Sequence, residues 1–158
     1  MVFVCVAKQP PAPDVNIAHS NGRWDCLFQI GYDPDGPYTY YMSVHTYPSK
    51  GSLTEFAFCI AGVDNLKRTH HHTYQSSVVR EIIPKQCKAA IATLLYYHTR
   101  ELLSVSKPSE FFMETFELNL PAAAVSKYDA LCHIFQALGY SVTSTSTTPG
   151  KLMWTMKL

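Results

Sequence analysis

Between residues 23 and 63 the chain passes through three alternating segments joined by two short turns, a pattern that folds as an antiparallel meander. In the first segment, 23–32, Trp24, Cys26, Phe28, Ile30 and Tyr32 share one face, opposite Asp25 and Gln29. Asp33-Pro34-Asp35-Gly36-Pro37 then turns the chain, since proline fixes φ and Asp35-Gly36 tolerates positive φ. In the second segment, 38–47, Tyr38, Tyr40, Met42 and Val44 alternate with Thr39, Tyr41, Ser43 and His45. After a second turn, Pro48-Ser49-Lys50-Gly51-Ser52, the segment 53–63 sets Phe56, Phe58 and Ile60 against Ala57, Cys59 and Ala61.

Asp64 to Ser77 is polar and aperiodic, which predicts a surface connection. Val78 to Ile83 fits either a short strand or a helical lead-in. Pro84 suits a first helical turn, and a helix is expected from there to about Leu103, with Cys87, Ile91, Leu94, Leu95, His98 and Leu102 as its apolar stripe. Phe111 to Leu118 alternates as a strand. A second helix is expected over 122–138, striped by Val125, Tyr128, Leu131, Cys132, Phe135 and Leu138 and stopped at Gly139-Tyr140. The Ser/Thr tract from Ser141 to Thr148 and the alternating segment 152–158 make a closing hairpin. The expected order is β-β-β-α-β-α-β-β. Two one-sided helices must lie on the sheet, so the expected fold is α+β: a two-layer sandwich, mostly antiparallel, of five or six strands with both helices on one face. Residues 1–22 read as an extended segment able to add an edge strand, with a proline-rich connector at Gln9-Pro10-Pro11-Ala12-Pro13, and 23–158 as one domain.

Composition removes several classes of function. The net charge is +1 and the charges are interspersed; Lys67 and Arg68, beside His70, His71 and His72, are the densest basic cluster. That field is too weak for nucleic acid. The five cysteines are odd in number and widely spaced, without CxxC, so neither a disulfide framework nor a zinc site is expected. No stretch nears the roughly 20 apolar residues of a membrane span, and Val2–Ala7 is too short for a secretory signal. A cytoplasmic protein is expected, with no cofactor.

Each candidate for chemistry has a plainer reading. His70–His72 could ligate a metal, but consecutive side chains of an extended chain point oppositely, and a polar loop explains them. His98 and Glu101 are three apart on the first helix, yet His98 sits on the apolar stripe and reads as a packing residue. His133 cannot pair with its neighbour Cys132. Ser76 and Ser77 lack a glycine-framed elbow, Cys87 falls on the apolar stripe, and Glu114 and Glu117 face opposite ways in a strand. The start of the first helix is the candidate anion site, where Arg80, Glu81, Lys85 and Lys88 border free N–H groups.

Tyr128, the helix end Leu138-Gly139-Tyr140 and the hairpin after it resemble the C-terminal half of the GNAT family of acyltransferases. The resemblance implies Tyr128 or Tyr140 near a thioester leaving group. It also implies a glycine-bearing pyrophosphate loop, where this chain reads Arg80-Glu81-Ile82-Ile83-Pro84-Lys85-Gln86-Cys87-Lys88 without glycine. Two functions are therefore expected. The first is a binding or regulatory protein acting through protein contact or self-association, as a homodimer for instance. It rests on Tyr38, Tyr40, Tyr41 and Tyr47, which occupy both faces of one strand and cannot all be core. The alternative is a small-ligand-binding enzyme, distantly acyltransferase-like, with its cleft at the start of the first helix.

Overall fold

The computed structural model describes residues 2–7, 15–49, 51, 53–146 and 148–158, with backbone alone at 71 and 72. The proline-rich connector lies outside the described residues. The elements are β1 (Val4–Cys5), β2 (Ile17–Ser20), β3 (Arg23–Tyr32), β4 (Thr39–Pro48), β5 (Thr54–Val63), β6 (Thr69–Thr73), α1 (Ser76–Ile82), α2 (Lys88–Ser106), β7 (Glu110–Glu114), α3 (Ala122–Ala137), β8 (Ser141–Thr145) and β9 (Met153–Lys157). A 3-10 turn at Lys85–Cys87 leads into α2. The fold is α+β, with one mixed sheet and three helices. The sheet runs β1-β3-β4-β5-β7-β9-β8, with β2 also on β3 and β6 also on β5.

The meander forms with the expected turns, and its register aligns the apolar positions. Cys26 pairs with Val44 and Val44 with Phe58; Phe28 pairs with Met42 and Met42 with Ile60. Long helices cover this face. From α2, the His98 ring stacks on Phe28 at 3.9 Å. From α3, the Phe135 ring meets Phe56 at 5.4 Å and Phe111 at 5.1 Å, edge to face. Phe56, Phe111, Phe135, Leu102 and Leu131 are all but sealed from solvent. Each such side chain contributes about 1.5–3 kcal/mol of burial. At the far edge the register of β3 shifts between Gln29 and Gly31. The Phe3 ring lies on Gly31 so closely that any β-carbon there would overlap it.

Chain chemistry explains the helix stops. Gly139 (φ +97°) follows α3, its N–H donating to Gln136 O, while Tyr140 N–H donates to Phe135 O, both at 3.0 Å. This is the left-handed cap expected at Gly139-Tyr140. Tyr140 then turns inward, its ring edge-to-face on Phe111 at 5.0 Å and its hydroxyl donating to Pro108 O. Lys107 ends α2 at φ +41°, where Pro108 forbids continuation.

Several expectations need correction. Nine strands form rather than five or six, three α-helices rather than two, and the order β-β-β-α-β-α-β-β lacks β1, β2, β6 and α1. β6 has no apolar period because it is held by backbone pairing to β5, from Ile60↔Thr73 to Val63↔Thr69. Its turn is set by Asp64, whose Oδ1 accepts from the N–H groups of Leu66 and Arg68. β7 stops at Glu114, and Phe116 and Leu118, assigned to the strand by alternation, are more than half exposed. The sheet is mostly antiparallel, as expected, with one parallel pair among the described strands that makes it mixed at its centre. β5 and β7 run parallel and pair only at Thr54↔Phe111 and Glu55↔Phe112. Beyond Glu55 they part.

Candidate cavity between the parting strands

A cavity of about 540 Å³ occupies the place where β5 and β7 separate. On the β5 side, the edge from Phe56 to Cys59 lies between the stretch paired with β7 and the stretch paired with β6. No described strand pairs with it there. Phe56, Phe58 and Ile60 line the cavity from this strand, Met113 from β7, Ala89, Ala92 and Tyr96 from α2, and Leu120 from the connection into α3. The size falls within the range of small-molecule sites, and the wall is mainly apolar. The small alanines of α2 leave the room that larger side chains would fill.

The polar groups gather where the helices begin. Lys88 and Ala89 open α2, and Pro121, Ala123 and Ala124 open α3; all five line the cavity. Neither helix has a side-chain cap at its N-terminus. At α3 the leading N–H groups therefore border the cavity with a positive local potential, whereas α2 is led in by the 3-10 turn, Lys88 N–H donating to Lys85 O. Arg80, Lys88 and Lys127 add three cations to the lining. Lys127 is the most enclosed. Its Nζ lies 5.0 Å from the centre of the Phe58 ring and 5.6 Å from that of Tyr128. Burial lowers its pKa, Lys88 adds to that, and Glu117 opposes it.

Glu117 ties the lip together. Its Oε1 accepts from Ser76 N–H at 3.1 Å and its Oε2 from the Ser76 hydroxyl, so the start of α1 is fastened to the segment after β7. Arg80 in turn donates from Nε to Ser76 O at 3.2 Å. Tyr74 lies flat on Phe116, 5.3 Å between centres, at the same lip. Tyr128 stacks on Trp154 at 5.2 Å, nearly parallel, and burial with the Glu117 charge pushes its phenol up to about 12.

Of the residues expected at the helix start, Arg80 and Lys88 line the cavity, whereas Glu81 and Lys85 are exposed and stand outside its lining. Tyr128 lines it; Tyr140 is fixed in the core away from it. Glu114 and Glu117 both reach the lining with separate partners, Glu114 facing Lys151 at 3.5 Å. Among the four tyrosines read as an interaction surface, Tyr40 is buried and Tyr38, Tyr41 and Tyr47 are half-buried. His70 belongs to β6, its Nε2 2.6 Å from Oδ2 of Asp64 in the preceding turn; the side chains of His71 and His72 lie outside the description. His98 is buried between Phe28 and Cys26, and burial pulls its pKa down to about 4. Cys87 is buried, which pushes its thiol up. All five cysteines are free, and no group of three or more metal-ligating side chains occurs among the described residues. No described helix is long and apolar enough to cross a membrane.

Sequence reasoning missed Tyr74, Phe116, Glu117 and Lys127 as cavity residues. Lys127 stands one position before the stripe residue Tyr128, which places it at the border of the buried face of α3 and was the available signal. No family model, no curated protein and no solved structure matches this chain.

Proposed function

We propose that this protein is a small-ligand-binding enzyme, distantly acyltransferase-like, whose ligand is apolar at one end and anionic at the other. One observation carries the reading. The opening between β5 and β7 is apolar within and bordered by the uncapped start of α3 and by Arg80, Lys88 and Lys127. An acyl chain matches the apolar wall, and phosphate or carboxylate matches the helix start. Between its pairings with β7 and β6, the β5 edge at Phe56–Phe58 offers backbone groups to an extended ligand carrying amides. Tyr128 at the wall is in keeping with the acyltransferase resemblance, and the missing glycine loop has its counterpart in the start of α3.

The test is thermal denaturation with octanoyl-CoA, octanoate, coenzyme A and ATP in parallel. At a hundredfold excess over Kd, binding adds about 2.7 kcal/mol. For a domain of this size that raises Tm by about 5–10 °C. The reading expects octanoyl-CoA to exceed both of its halves. A protein unmoved by all four would refute it.

A second reading, contact with a protein partner or a second copy, has one observation in its favour. In a two-layer arrangement the face of β2–β5 away from the helices is open, and Leu27 on it is half exposed. Light scattering across a concentration series tests self-association. A monomer at every concentration removes it.

A further inference from the structure

The face of the sheet turned away from the helices carries a row of buried polar groups that leads to the cavity. Asp25 and His45 are directly opposed on β3 and β4, and Ser43 lies two residues before His45 on the same face. Ser43 and Cys59, likewise opposed across β4 and β5, are both buried. His45 is completely buried although no helix covers it. Two tyrosine rings flank it, Tyr47 of the same strand at 5.6 Å and Tyr74, arriving from β6, edge-on to the imidazole at 6.4 Å.

The Asp25 carboxylate, which can only accept, sets the direction of the bonds that lead from it to His45, while the Ser43 and Tyr74 hydroxyls both also bond Cys59. Asp25, paired with Arg23, accepts from the Ser43 hydroxyl at 2.9 Å. With its proton so used, Ser43 Oγ accepts at 3.0 Å from His45 Nδ1, which must carry the ring proton. Nε2 is then a lone pair, facing the Tyr74 hydroxyl at 3.4 Å. Tyr74 and Cys59 line the cavity; Asp25, at the other end, is 28% exposed beside Arg23. The charged and titratable groups around His45 are Arg23 and Asp25 from β3, Tyr47 from β4, Glu55 and Cys59 from β5, and Tyr74.

We propose that Tyr74 is a catalytic proton acceptor of the cavity and that Asp25, Ser43 and His45 are its positioning relay. This rests on the ligand-binding reading above and adds to it that the acyl acceptor is a group that loses a proton, such as a primary amine. As the amine nitrogen bonds to the thioester carbonyl, the amine proton passes to Tyr74 oxygen. The tyrosine proton passes to His45 Nε2. As the carbon–sulfur bond breaks the same path runs back: Tyr74 gives its proton to the departing thiolate, which leaves as the thiol, and regains one from His45, which returns to neutral. The 3.4 Å bond is long, as such contacts are before a substrate tightens them.

The experiment is long-range 1H–15N spectroscopy of the full chain labelled at histidine, from pH 5 to 9, with and without octanoyl-CoA. Wild type should show the His45 proton on Nδ1, and Ser43→Ala should move it to Nε2. Octanoyl-CoA should shift the Nε2 resonance in wild type and leave it unmoved in Tyr74→Phe. A merely structural cluster gives no ligand response through Tyr74. A wild-type proton on Nε2 overturns the relay, and so does an Nε2 resonance that ignores octanoyl-CoA bound by thermal shift. If octanoyl-CoA does not bind, the ligand reading fails, and the tautomer alone decides the relay.

Discussion

His98 gives the chain a measurable weakness to acid. The ring lies between Phe28 and Cys26, 7% exposed, with Nδ1 3.4 Å from the Cys26 sulfur. Burial alone lowers its pKa from 6.5 to about 4. Below pH 6.5 the unfolded chain binds a proton that the folded chain refuses. The contribution to stability is therefore complete above pH 6.5 and is lost as the pH falls from 6.5 towards 4. Integrated over the whole gap it amounts to about 3 kcal/mol, of which about 2 kcal/mol is gone by pH 5. With a urea m-value of about 2 kcal/mol/M, the midpoint should drop by about 1 M between pH 7 and pH 5. Other groups also titrate in this interval, so the quantity to read is the difference from His98→Leu. That variant loses the stacked ring at every pH but carries no proton to refuse. Wild type should lose about 2 kcal/mol more than the variant over the interval. Equal losses in the two proteins would refute burial as the source of the shift.

Other perturbations test the core and the cavity separately. Phe135→Ala empties the point where Phe56 and Phe111 converge, and should cost about 3–5 kcal/mol in urea unfolding. Gly31→Ala forces the Phe3 ring away and should cost about 1–3 kcal/mol, with faster amide exchange in β1 as the local signature. Lys127→Met keeps the volume and removes the charge, so the fold should be at least as stable. Octanoyl-CoA affinity, read by calorimetry, should fall about tenfold, the loss of one enclosed cation.

The meander was legible because its evidence is local. Alternation from Trp24 to Tyr32, turn residues at 33–37 and alternation again from Tyr38 each carry a period that neighbouring side chains impose on one another. The cap at Gly139-Tyr140 was legible for the same reason. β6 was not, because a strand held only by backbone pairing to an edge needs no apolar face, and Thr69, His70 and Thr73 supply none. α1 was left open between strand and helical lead-in by its length: seven residues with Ile82 as its one buried position make less than two turns of stripe. The parallel step between β5 and β7 is a relation between segments about fifty residues apart, and no local period records it.

For the candidate site the division is similar. Arg80 and Lys88 were found because a helix start is a local feature, while Glu81 and Lys85 show that local features overcount: four residues around one turn cannot all face the same side. The rest of the site depends on the segment 69–82, which looked like a connection as far as Ser77 and like a short strand or helical lead-in after it. In the structure this segment does two things at once. By pairing with the end of β5 and fastening Ser76 to Glu117, it closes one side of the opening between the strands. By carrying Tyr74 to the face of β4 that holds Ser43 and His45, it helps to bury His45. The alternation had put Ser43 and His45 on that face, where a polar row usually means solvent. The two facts are linked: a histidine sealed at 0% exposure is there because the element that helps to seal it also walls the cavity. Cavity and relay therefore stand on one segment, and loosening its anchor at Glu117 would disturb both together.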